Sequence, residues 1–149
     1  MVSFVYNIAK GEFADGSEDW DSGGLFITLV SSYTADPDDT AISFFSGEEL
    51  TGSNHQSLLA GSTTAKAIGS PTVTVNNADD QAELDAANVT WTAIDAGQAC
   101  AAVIFRKSGT IALSPLIAYI DDGFGIVTNG GDFTISFANS GVIKLASNA

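Results

Sequence analysis

Apolar and polar positions along this chain fall into short stretches with the period of strands. The segment Leu25-Phe26-Ile27-Thr28-Leu29-Val30 is almost wholly apolar and rich in branched and aromatic residues. Bounded by Gly23-Gly24 and by Asp36-Pro37-Asp38-Asp39, it predicts a buried strand. Thr72-Val73-Thr74-Val75 alternates, and Asn76-Asn77-Ala78-Asp79-Asp80 supplies turn chemistry. Gln81 to Ala86 alternates again, with Glu83 and Asp85 expected on the solvent face. In Val89-Thr90-Trp91-Thr92-Ala93 the odd positions are expected on one side. The run from Cys100 to Phe105 is apolar at every position, the pattern of a central strand covered on both faces. Leu116-Ile117-Ala118-Tyr119-Ile120, Phe133 to Phe137 and Val142 to Leu145 complete the strand set.

Helical periodicity is confined to the N-terminus. Phe4, Val5, Ile8, Ala9 and Phe13 recur at near-helical spacing, and Asp15-Gly16 supplies a stop. The segment Ala41-Ile42-Ser43-Phe44-Phe45-Ser46 fits a short helix or a strand. Seven or eight short strands, turns of Gly, Asn and Asp, and one short N-terminal helix predict a mainly β fold. A single-domain sandwich, jelly roll or barrel spanning residues 1–149 fits that pattern.

Charge alters the picture more than length does. The 149 residues include 18 Asp and Glu against 5 Lys and Arg, a net charge of −13. Ten of the acids (Glu12, Asp15, Glu18, Asp19, Asp21, Asp36, Asp38, Asp39, Glu48, Glu49) lie between Gly11 and Ala65, where there is no Lys or Arg. Such a balance argues against nucleic acid and against an anionic membrane as partners, since both need cations on the protein. No apolar run approaches the length of a membrane span, and the first residues lack a basic stretch leading into an apolar core. With 45% hydrophobic residues and a mean hydropathy of +0.20, the chain is expected to be soluble and folded.

Candidate chemistry is sparse. His55, the only imidazole, sits in a polar loop with no partner at metal-ligand spacing. No nucleophile elbow, phosphate loop or dinucleotide fingerprint is present, so no catalytic residue and no cofactor is expected. The pairs Asp79/Asp80 and Asp121/Asp122 and the trio Asp36, Asp38 and Asp39 adjoin turn residues. They read as solvated turn aspartates, with loop calcium as the less favoured reading. Cys100 reads as a small buried hydrophobe. Trp91 and Tyr119 read as core, whereas Trp20, among Glu18, Asp19 and Asp21, is expected to be partly exposed.

Several segments in order resemble a family of small structural proteins of tailed bacteriophages. They are Val5 to Gly16, Asp19-Trp20, Phe26 to Val30 and Ser32 to Asp38. Further along come Ala82 to Trp91, Ala101 to Lys107, Ser114 to Asp121 and Thr128 to Ile135. The resemblance covers most of the chain and departs between Gly47 and Gly69. It implies a virion component without enzymatic activity, assembled in the host cytoplasm, and offers no catalytic residue to carry over. The favoured expectation is a capsid decoration (cement) protein that binds the major capsid protein as a small homo-oligomer, a trimer or dimer. The alternative is a carbohydrate-recognition module of a tail or fibre, with Trp20 as a stacking residue. A shell protein needs a gripping surface as well as a soluble one. Its candidate residues are Val2, Phe4, Val5 and Tyr6 near the N-terminus, with Phe44 and Phe45, hydrophobic positions that the strand pattern does not absorb.

Overall fold

The computed structural model of the chain describes residues 4–31, 34–41, 65–109 and 113–146. Val2, Phe44, Phe45 and His55 lie outside them, as do residues 42–46 of the ambiguous segment. In chain order the elements begin with β1 (Phe4–Val5), α1 (Asn7–Asp15), a 3-10 turn (Trp20–Ser22) and β2 (Leu25–Val30). Next come β3 (Lys66–Ala67), β4 (Thr72–Asn76), β5 (Gln81–Asp85), β6 (Val89–Trp91), β7 (Gly97–Ala99) and β8 (Ala101–Arg106). The last are β9 (Leu116–Ile120), β10 (Ile126–Thr128), β11 (Phe133–Ile135) and β12 (Ile143–Ala146). The fold is mainly β, a sandwich- or barrel-like arrangement of antiparallel sheets with one short helix.

A five-stranded sheet of order β1-β9-β8-β2-β3 forms the centre. β8 lies in its middle, where an apolar run covered on both faces belongs. All of Ala101 to Phe105 and all of Leu116 to Ile120 are buried. Alternation along β2 and β8 divides these residues between two faces. Leu25, Ile27, Leu29, Ala102 and Ile104 join one core with Trp20, Leu84, Trp91, Ile135 and Ile143. That core seals the central sheet against the smaller sheets β12-β5-β4, β11-β6 and β10-β7. Val30, Ala101, Val103, Phe105 and Tyr119 form the second core with Tyr6, and Phe4, Ile8, Phe26 and Cys100 pack on it. A register shift between Ile104 and Phe105 lets Leu116 and Tyr119 face the second core, while Ile117 and Ala118 face the first.

The helix stops where the sequence indicates, at Gly16, whose φ of +79° is left-handed. Its start differs from expectation. Phe4 and Val5 pair with Tyr119 and Ala118 as a strand, because pairing satisfies their backbone while Tyr6 enters the core. Ala93 also differs: at φ +48° it sits exposed in a turn rather than inside with Trp91. One glycine is required by contact as well as by conformation. At Gly141 (φ +91°) a Cβ would lie 3.0 Å from the Leu84 carbonyl oxygen, where the chain turns into β12. Gly141→Ala is expected to cost about 2 kcal/mol, read as a lower urea midpoint with an unchanged slope.

Candidate functional site

The N-terminal candidates divide. Tyr6 is completely buried, so it belongs to the core and has no surface to offer a partner. Phe4 is half-buried, stacked on Tyr119 at 5.2 Å between ring centres and edge-on to Tyr6 at 5.1 Å. Burial, with the charges of Cys100 and Asp121 adding to it, pushes the Tyr119 hydroxyl above its ordinary pKa. Phe4 and Val5 line one side of a cleft of about 360 Å³, and Ser140 to Lys144 line the other. Among the described residues, Ser140 and Lys144 bring polar side chains to it.

Trp20 corrects the sequence reading. It is 2% exposed, its ring sits in the first core, and its Nε1–H donates to the Asp85 carbonyl at 2.8 Å. The charged neighbours that suggested exposure point elsewhere: Glu18 turns back to form a paired contact with Arg106, and Asp19 and Asp21 remain at the surface. The Cys100 thiol is partly buried against the second core. No group of three or more His, Cys, Asp or Glu among the described residues is placed to hold a metal ion. No helix among them is long and apolar enough to cross a membrane.

The sheet β12-β5-β4 carries a surface that the sequence did not flag. Partners across antiparallel strands share a face, so register assigns its two sides. Val73, Leu84 and Ile143 form one row, and Val75, Ala82 and Leu145 the next row on the same face. At the inner end Leu84 and Ile143 are sealed in the core. Further out Val73 is 48%, Val75 70% and Leu145 41% exposed. The sheet therefore extends past the core it helps to close, and its apolar face continues into the open. Valines at alternate positions signal a one-sided strand, but which end overhangs depends on packing that only the folded chain reveals.

The opposite face is polar and ordered. Glu83 accepts hydrogen bonds from Asn76 Nδ2 (2.9 Å) and Gln81 Nε2 (2.8 Å), with Lys144 directly across. The Asn76 bond, then that of Gln81, then the Lys144 charge hold the Glu83 carboxyl below its usual range. A depressed carboxyl contributes stability above the unfolded pKa, and loses it as pH falls through the folded value. Asn76→Ala is expected to move the Glu83 carboxyl back toward its ordinary value in a carbon-detected NMR titration. The stability difference between variant and wild type should close in acid.

No family model matches the chain, and neither a curated protein nor a solved structure matches it.

Proposed function

We propose that the chain is a non-enzymatic virion protein of a tailed bacteriophage, a decoration or cement protein that docks on the major capsid protein. The single observation that supports this reading is the open apolar face around Val73, Val75 and Leu145 on an otherwise acidic molecule. Clustered exposed aliphatics mark a surface to be covered by another protein, whereas catalysis needs converging polar groups in a cleft. Each copy would bury a modest interface, and many copies together would brace the shell. Carboxylates on the free side would discourage particles from adhering to one another. The alternative, glycan recognition by a tail module, loses its stacking residue, because Trp20 lies inside the core.

Immunolabelling of purified virions, followed by electron imaging, tests the reading. Label distributed over the head shell is the expected result. Label confined to the tail, or absent from the particle, overturns it.

A further inference from the structure

We propose that the outer edge of β4 receives an extended segment of a partner protein, added to the sheet as a further strand. This segment carries apolar side chains at alternate positions and Lys or Arg at both ends. The inference rests on the docking reading above and supplies the chemistry of the partner.

β4 is an edge strand of the order β12-β5-β4. Among the described residues, no backbone hydrogen bond outside its pairing with β5 uses Thr72 to Asn76. Alternate residues of such a strand direct N–H and C=O groups away from their neighbour, which makes the edge a template for pairing. Protected edges carry an inward charge, a mid-strand proline or a covering element. Here Pro71 only precedes the strand, Thr72-Val73-Thr74-Val75-Asn76 holds no charge, and its first four residues are exposed. Val73 and Val75 continue the apolar rows of the sheet right to this edge. A strand added there would extend those rows by one more side chain each, covering surface that β4 leaves open.

Charge complementarity selects the occupant. The 3-10 turn packs beside the Thr72 end, tied there by the Trp20 bond to Asp85, and leaves Asp19 and Asp21 exposed. Asp79 and Asp80 are exposed at the Asn76 end. Interaction with the neighbouring Asp19 carboxylate raises the Asp21 carboxyl from its ordinary value, so a cation would be welcome there. Five residues in extended form span about 17 Å, which sets the separation of the basic ends. A second copy of this chain fits poorly. Antiparallel pairing through β4 would set acid against acid at both ends of the joint, on molecules of net charge −13.

The test uses the intact protein and a labelled peptide, Lys-Lys-Val-Thr-Val-Thr-Val-Lys-Lys, with a control in which Glu replaces every Lys. Fluorescence anisotropy is expected to show salt-sensitive binding of the basic-ended peptide only. Val75→Lys, at an exposed position that leaves the circular dichroism unchanged, is expected to weaken it roughly tenfold or more. Equal binding of the acid-ended control, undiminished binding by Val75→Lys, or no binding of the basic peptide overturns the proposal. So does self-association by sedimentation that Val75→Lys abolishes, because a second copy would then own the edge. Shell binding distinguishes the two readings. Wild type and Val75→Lys binding shells alike would remove the edge assignment and leave the decoration reading intact. Peptide recognition by a protein that ignores shells would do the reverse.

Discussion

Trp20→Ala is expected to lower stability by about 4 kcal/mol and the melting temperature by roughly 10 °C, measured by calorimetry. Both parts of the side chain contribute. The ring fills space in the core between the central and smaller sheets, and its truncation leaves a cavity that the rigid strands around it close only partly. Its N–H satisfies the Asp85 carbonyl at the end of β5, joining the N-terminal segment to the sheet that bears the open face. Trp20→Phe separates the two effects. It keeps most of the ring volume and removes the donor, so a loss of about 1–2 kcal/mol is expected. A Trp20→Ala protein as stable as wild type would mean that the ring is not packed as described.

Glu18→Ala is expected to cost about 3 kcal/mol, through the cation it abandons. Glu18 is 8% exposed and meets Arg106 with both oxygens, one at 3.1 Å from Nε and the other in a closer contact with Nη2. Arg106 Nη2 also donates to the Asp19 carbonyl at 2.6 Å, so the guanidinium ties the turn around Trp20 to the end of β8. Among the described residues Arg106 Nη1 is buried without a hydrogen-bond partner, and losing Glu18 would leave the guanidinium with the Asp19 carbonyl alone. Replacing both residues with leucine removes the charge together with its partner and is expected to recover much of the loss. The same contact has a titration signature. Burial, then the charges of Glu18 and Asp15, push the Glu12 carboxyl up, against the pull of Arg106. Glu12 should therefore titrate lower in Glu18→Gln. An unmoved Glu12 and an unchanged denaturation midpoint would contradict the arrangement.

These two residues also show what a sequence can reveal. Nearly continuous apolar runs at 25–30, 101–105 and 116–120, short and rich in branched and aromatic residues, identify strands covered on both faces. The turn after β4 and the glycine that ends α1 are equally legible, since both rest on local backbone preferences. β3, β7 and β10 are not legible. Each has two or three residues, and β7 contains Gly97, so partners elsewhere in the chain create them. Trp20 escaped for a related reason. Its neighbours are acidic, and nothing local indicates that Arg106, far along the chain, draws Glu18 inward beside it. The open face around Val73 and Val75 is the same kind of feature. Its alternation is visible, but its position beyond the core is tertiary.

A repeated structural component of a phage head, as proposed, has a defined copy number, and that number is its most direct test. Quantitative mass spectrometry of purified virions, followed by the same measurement on heads separated from tails, counts the chain against the major capsid protein. A fixed ratio of the order of one chain per few shell subunits, retained on the separated heads, is the predicted result. A handful of copies per particle, copies that leave with the tails, or none at all would contradict it.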